Sequence, residues 1–390
     1  MNMDKTRPGT MKNVGKGCAV NGACENSAPT VAAGTASQRD TSQFVSIVVP
    51  CRNEAKAIHA FLISLLNQEM GDINWEAIIA DGMSDDGTRK VLEQFSKEHR
   101  QVRMIDNPSR IVSTGLNACI RAAAGDIILR MDVHTEYKAD YVRRCVEVLR
   151  KTDAANVGGA CVAIQTGYVG RAIAAAFHSP FAVGGARWHQ TSYEGPVDTV
   201  HLGCWRREVL EQIGYFDETL VRNQDDELNL RLTRAGGTIW QSPDIVSWYH
   251  PRSSLGALFR QYFQYGFWKV AVIRKHRLPA SWRHLVPGAF VLANFVILAA
   301  ALLGTIFGRG PLSWFTEAGL GMDIAYAASV LAAATIVAKK EGWILFPILP
   351  LVFNSYHIAY GLGFLLGIFH FSSTPHGDGY AESVFTELTR

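Results

Sequence analysis

Three acidic sites carry the chemistry open to this sequence. Asp81 closes the apolar run Ala77-Ile78-Ile79-Ala80, Asp132 closes Ile127-Ile128-Leu129-Arg130-Met131, and Asp225-Asp226-Glu227 opens a helical segment. An open α/β sheet binds ligands at the carboxyl ends of its strands, where hard cations and phosphates need oxygen ligands or hydrogen-bonding partners. In Met131-Asp132-Val133-His134, side chains two apart on an extended chain point the same way, so Asp132 and His134 can share one metal or ligand. Divalent Mg or Mn takes oxygen from Asp132, His134 suits Mn better, and diphosphate oxygens would complete the shell. The turn Asp81-Gly82-Met83-Ser84-Asp85-Asp86-Gly87-Thr88 joins an acidic strand end to glycines that let backbone approach a ligand. Its spacing is not that of an EF-hand and it follows a strand, which excludes a calcium loop. Asp225 is the candidate general base, with Asp226 in reserve. A base must sit in a cleft beside its acceptor hydroxyl, whereas first-turn carboxylates also serve as dipole partners.

The elements that must position these residues follow from the apolar pattern. From Phe44, short apolar strands alternate with helical segments, the mark of βαβ units and a mainly parallel sheet. The first strand runs from Phe44 to Val49 and Pro50 stops it; the turn Val49-Pro50-Cys51-Arg52-Asn53-Glu54 then presents polar groups at the sheet edge. Helices are expected over 55–68, from about Asp86 and over 112–124, and strands near 75–80, 102–105, 127–131 and 157–163. Ser84 or Asp85 would cap the second helix. An irregular stretch to about Val197 holds Gly184-Gly185 and Trp188, and such an insert often shapes a substrate pocket.

Composition bounds the partners. The chain has 390 residues, 48% of them apolar, with a formal net charge of only +3, so no nucleic-acid partner is implied. Its 7 cysteines form no CxxC pair and no zinc spacing, which reads as buried or solvated thiols of a reducing compartment. Residues 1–43 contain no apolar run long enough for a signal peptide and read as a disordered tail, which leaves the following domain, 44–252, in the cytosol.

Three apolar runs follow. Residues 285–308 are uncharged and long enough to span a bilayer; 320–338 form a shorter second span, and 343–371, interrupted by Pro347 and Pro350, a third that tilts or kinks. Arg274, Lys275, Arg277 and Arg283 precede the first span and Lys339-Lys340 lie between the second and third, which places both sets on the cytosolic side. The tail 372–390, with Asp378, Glu382 and Glu387, then lies outside. Within 253–284, Leu255, Leu258, Phe259, Tyr262, Phe263 and Trp268 cluster on a helical wheel above a basic linker, as in an interfacial amphipathic helix; a helix packed on the preceding domain is the alternative.

The order Val48-Val49-Pro50-Cys51-Arg52-Asn53-Glu54, Asp81 to Thr88, Asp132-Val133-His134 and Gln224-Asp225-Asp226-Glu227-Leu228 resembles family 2 glycosyltransferases of the GT-A fold. Within that family it looks like the membrane-anchored exopolysaccharide transferases of the succinoglycan glucosyltransferase type. The resemblance implies a Rossmann-like cytosolic α/β domain followed by an α-helical transmembrane region, as a multi-pass protein of the bacterial inner membrane. It implies inverting transfer of a sugar, glucose by the nearest resemblance, from a UDP-sugar to a polyprenyl-diphosphate-linked saccharide. Asp81 and Glu54 would hold the nucleoside, and Pro50, Asn53, Ser84, Asp86 and Asp132 would complete the nucleotide-sugar site. Asp132, aided by His134, would bind the metal, Mg or Mn, and Asp225 would deprotonate the acceptor.

His134 stands where many relatives have Asp, and Gln224 where many have Glu. Processive members carry Gln-x-x-Arg-Trp, whereas this chain has Gln261-Tyr262-Phe263-Gln264-Tyr265-Gly266-Phe267-Trp268. With about three spans, that favours one sugar per encounter over processive synthesis. A dinucleotide-dependent dehydrogenase is disfavoured because no GxGxxG follows strand one. A sugar-nucleotide-binding membrane subunit without turnover, and a transporter reading of Asn354-Ser355-Tyr356-His357, are the rivals from other classes.

Overall fold

The computed structural model describes residues 44–279, 281–307 and 313–373, so the expectations for the first 43 residues and for the acidic C-terminal tail lie outside the described residues. The chain runs β1 (Phe44–Cys51), α1 (Ile58–Leu66), β2 (Asn74–Asp81), α2 (Thr88–Glu98), β3 (Val102–Asp106), α3 (Val112–Ala122), β4 (Ile127–Arg130), β5 (Thr135–Tyr137) and α4 (Tyr141–Thr152). It continues through β6 (Asn156–Gly159), β7 (Cys161–Ala163), α5 (Tyr168–Phe177), α6 (Pro180–Val183), β8 (Gly195–Pro196), β9 (His201–Arg206), α7 (Arg207–Ile213), α8 (Gln224–Arg234), β10 (Ile239–Gln241) and β11 (Ser247–Tyr249). Four long helices complete it: α9 (Leu255–His276), α10 (Val286–Phe307), α11 (Ser313–Glu341) and α12 (Leu349–Ser373).

The main sheet has the order β3-β2-β1-β4-β9-β6-β10-β8, and its first four strands are mutually parallel. Val45, Ile47, Val48 and Val49 of β1 are wholly buried, as expected of a strand covered by helices on both faces. Strand β9 is antiparallel to both β4 and β6. A second sheet, β5-β11-β7, stands beside the first.

Pro50 does not stop β1, which continues to Cys51 opposite Asp81 of β2. The carbonyl of Val48 faces β4 and that of Cys51 faces β2, so the missing N–H of Pro50 falls on the β4 side, beyond the last β1–β4 pair, Val48 with Arg130. The expected strand over 157–163 is two strands in two sheets. Between them Gly159 lies so close to Ile245 that a Cβ would sit 1.8 Å from its carbonyl oxygen. The second helix is led in by Asp86, which accepts from the Thr88 amide at 3.0 Å, rather than by Ser84 or Asp85.

Three helical stretches, Trp282–Ile306, Trp314–Glu341 and Leu349–Ser372, are long and apolar enough to cross a membrane. Their outward side chains include Leu298, Leu302, Ile306 and Ile336, all exposed, which suits a lipid environment. Ala172, Ile173 and Ala176 of α5 pack against Val330, Ala334 and Val337 of α11 and Leu349 and Phe353 of α12. Helix α9 lies between Leu220 and Val221 of the sheet domain and Phe364 and Phe371 of α12, with Phe267 and Trp268 fully buried. It therefore packs on the preceding domain, as the alternative to an interfacial helix has it, and on α12 as well.

Glycines permit this contact. A Cβ on Gly363 would stand 1.9 Å from the Phe263 carbonyl oxygen, and one on Gly266 would stand 2.1 Å from that of Tyr360. Overpacking of this kind costs about 1–3 kcal/mol where neighbours can shift, and here the obstacle is backbone. Gly363→Leu is expected to lower the thermal unfolding midpoint of detergent-purified protein by several degrees and to loosen α9; an unchanged midpoint would refute close packing at this crossing.

Candidate active site

Two turns at the carboxyl edge of β1 and β2 are laced together. The Asn53 amide donates to Ser84 Oγ at 2.9 Å, Asn53 Oδ1 accepts from the Asp85 amide at 3.1 Å, and the Glu54 amide donates to Thr88 Oγ1 at 2.7 Å. Asp86 accepts from the amides of Ala55 and Thr88. Burial works against its ionisation, but the Thr88 hydroxyl, which donates to it at 2.6 Å, and then these amides prevail and hold its pKa below the usual carboxylate range. Asn53 and Met83 adopt left-handed φ of 54° and 57°, the cost of two sharp turns facing each other. Asp81 is wholly buried, accepting from the Ser84 amide at 3.3 Å and from Arg89 Nη1 at 3.1 Å; Arg89 also donates to Asp106 at 2.8 Å.

At the end of β4, Arg130 does what the strand pattern did not reveal. Buried to 5% exposure, it grips Asp132 with two bonds, Nε to Oδ1 at 3.0 Å and Nη2 to Oδ2 at 3.1 Å, and its Nη1 donates to Asp225 Oδ1. Such a planar fork is the strong, orienting form of carboxylate recognition. Burial raises the pKa of Asp132, yet Arg130, then His134 and His201, outweigh it and the carboxyl titrates low. Asp225 behaves oppositely. Burial pushes it up, Arg130 opposes, the nearby charges of Asp132 and Asp226 add to the rise, and it settles at about 6.

Asp226 is held below the usual range because its contact with Lys269 of α9 overcomes burial. Glu227, wholly buried, turns away from the cleft to Arg231 at 2.8 Å, Lys275 at 2.8 Å and His276 at 3.0 Å, clamping α8 to α9. His134 Nδ1 lies 3.3 Å from Glu54 Oε1. His201 of β9 is a further imidazole beside Asp132, lowered by burial to about 4 and so neutral at physiological pH.

One cavity of about 900 Å3 joins Glu54, Arg130, Asp132, His134, His201, Asp225 and Asp226 to residues of α9, α10, α11 and α12. Pro50, Asn53, Asp81, Ser84 and Asp86 do not line it; they form the adjoining pair of turns. Among the described residues no cluster of three or more His, Cys, Asp or Glu side chains stands ready as a metal site. Asp132 nevertheless keeps lone pairs beyond those Arg130 occupies, and an imidazole stands two residues on. One carboxylate and one imidazole would suit a Mg or Mn ion, to which diphosphate oxygens and water would add further ligands.

Residues 46–214 match the family model described as Glycosyl transferase family 2. The "Succinoglycan biosynthesis protein ExoA" of Rhizobium meliloti (strain 1021) is 32% identical over 327 residues, 83% of this chain and 94% of that protein. A dolichyl N-acetyl-alpha-D-glucosaminyl phosphate 3-beta-D-2,3-diacetamido-2,3-dideoxy-beta-D-glucuronosyltransferase of Methanococcus voltae is 26% identical over 85% of this chain and 99% of its own length. Among solved structures, a mannosyltransferase from Pyrobaculum calidifontis in complex with GDP-Man and Mn2+ shares the fold, with a TM-score of 0.52 at 19% identity over 82% of this chain and 86% of that one. With a relative this similar along nearly its whole length, a sheet domain of GT-A type and three long apolar helices, the chain belongs to the family 2 glycosyltransferases of the exopolysaccharide type.

Proposed function

We propose that this membrane glycosyltransferase moves a sugar, glucose by its resemblance to succinoglycan transferases, from a UDP-sugar to a polyprenyl-diphosphate-linked saccharide, with inversion at the anomeric carbon. The observation that carries this reading is the Asp132–Arg130–Asp225 bridge inside a cavity that runs on to the membrane helices. In the reaction, the acceptor oxygen attacks the anomeric carbon, the bond from that carbon to the UDP oxygen breaks, and Asp225 takes the acceptor's proton. No covalent enzyme nucleophile is needed. A divalent ion held by Asp132 and His134 would neutralise charge on the departing diphosphate. The two laced turns, with Asp81, Glu54, Pro50, Asn53, Ser84 and Asp86, form the nucleoside side of the donor site. Arg130 fixes the spacing of the two carboxylates and favours the ionised form of each.

The domain at 44–252 faces the cytosol and the protein is a multi-pass component of the bacterial inner membrane. Two observations support this: Arg283 stands at the start of α10 beside Asp198 of the sheet domain, and Lys339-Lys340 end α11, which packs on α5.

UDP release by detergent-purified protein, from a panel of UDP-sugars with Mn or Mg and with or without bacterial lipid-linked oligosaccharides, tests the proposal. Release is expected with one sugar and to require metal and lipid. Asp132→Ala is expected to abolish the metal-stimulated part of turnover. UDP-sugar binding without release under any condition would instead favour a binding subunit.

A further inference from the structure

The cavity continues beyond the catalytic carboxylates toward the membrane helices, and its polar groups change character there. Arg283, in the turn before α10, lies over Gly184, where an added Cβ would come within 3.0 Å of it, and its guanidinium meets Asp198. Lys269 of α9 meets Asp226. His284 Nδ1 and the Tyr360 hydroxyl are buried and have no hydrogen-bond partner. Tyr360 and His284 both interact electrostatically with Asp226 and Arg283, and His284 also with Lys269, so the four groups share one region of the cavity. All of them line the cavity. Buried polar atoms without partners are uncommon in native proteins, and two in one region call for a polar occupant.

The walls beyond are aromatic. Phe181 of α6, Phe290 of α10, Tyr326 of α11 and Tyr356 of α12 line the same space. His357 Nε2 donates to the Phe181 carbonyl at 2.8 Å and its Nδ1 lies 3.0 Å from the Tyr326 hydroxyl, which fixes α6 to the membrane helices. An occupant suited to this space is polar at one end, where it satisfies the two orphaned groups and competes with Asp198 and Asp226 for Arg283 and Lys269, is apolar on its membrane side, and presents a hydroxyl toward Asp225.

Resting on the acceptor reading above, we infer that Arg283, Lys269, His284 and Tyr360 seat the diphosphate of a polyprenyl-diphosphate acceptor, and that the aromatic space between α10, α11 and α12 takes its first isoprenyl units. Arg283 supplies the planar fork suited to phosphate oxygens. Lys269 cancels the Asp226 carboxylate that would otherwise repel the phosphates, and the two orphaned groups complete the shell. A bilayer phospholipid has no saccharide to carry to Asp225.

The test is binding of a long-chain polyprenyl diphosphate to the full chain in nanodiscs of neutral lipid, alongside UDP binding. Arg283→Ala is expected to weaken polyprenyl diphosphate binding at least about tenfold, the loss of one charged hydrogen-bonding partner. Arg283→Lys should recover part of it, Tyr360→Phe should weaken it a few-fold, and polyprenol without phosphate should bind wild type and Arg283→Ala alike. Unchanged UDP binding in each variant shows that the domain remains folded. Equal polyprenyl diphosphate binding by wild type and Arg283→Ala would overturn the subsite, as would equal competition by phosphatidylglycerol. The transferase reading fails separately: polyprenyl diphosphate would bind as expected while wild type never released UDP from any donor.

Discussion

Asp225→Asn is expected to lower the rate of sugar transfer by about 10²–10⁴-fold, the usual range for a lost general base, while UDP-sugar binding changes by no more than about twofold. Asparagine keeps the size of the side chain and an oxygen that Arg130 can still meet, so the bridge to Asp132 survives and only the proton acceptor goes. The wild-type pH profile gives a second reading of the same group. Burial, opposed by Arg130 and reinforced by Asp132 and Asp226, brings the Asp225 carboxyl to about 6. A base must be ionised to act, so turnover should be nearly full above that pH and fall about tenfold per unit below it. Rate and donor binding falling together in Asp225→Asn would instead put this residue in the donor site. Asp226 is the control: its contact with Lys269 and its low pKa suit a fixed charge better than a proton acceptor.

What could be read from the chain alone was whatever depends on local pattern. The ends of β2 and β4 announce themselves because an acidic residue breaks an apolar run, which marks Asp81 and Asp132, and α8 does so by its acidic first turn, which marks Asp225. The parallel half of the sheet follows from the same alternation. Nothing in the run Ile127 to Met131 tells Arg130 from any strand residue, and only the approach of α8 shows it to be buried between two carboxylates. His201 is legible only once β9 is known to pair between β4 and β6, a non-local choice made by the fold rather than by any residue in His201-Leu202-Gly203. Helix α9 leaves two readings open for a related reason. A wheel shows that its apolar side chains must be covered without showing by what; Leu220 and Val221 of the sheet domain and the small side of α12, with Gly363 and Gly367, supply the cover.

Arg130→Met is expected to harm both stability and chemistry, by one cause. Removing one partner from a fully buried ion pair costs about 3–5 kcal/mol, because the remaining charge has lost both its water and its counter-ion. Here Asp132 is left with 16% of its side chain exposed and Asp225 with 38%, so water from the cavity can enter and the expected cost is about half that range. Two carboxylates would then face each other without the cation that separated them. Each disfavours ionisation of the other, so the acid limb of the pH profile, set at about 6 by Asp225, should move upward. Turnover at neutral pH should fall about 10²-fold or more, as when one preorganised charged group is removed from an active site. A merely structural role for Arg130 would lower the unfolding midpoint and leave the acid limb in place. Arg130→Lys separates the two effects: it retains a positive charge but cannot fork across Asp132 while reaching Asp225, so it should keep most of the stability and recover only part of the rate. A wild-type acid limb in Arg130→Met would mean that the guanidinium does not govern Asp225, and that the ionisation of the base is set by the cavity alone.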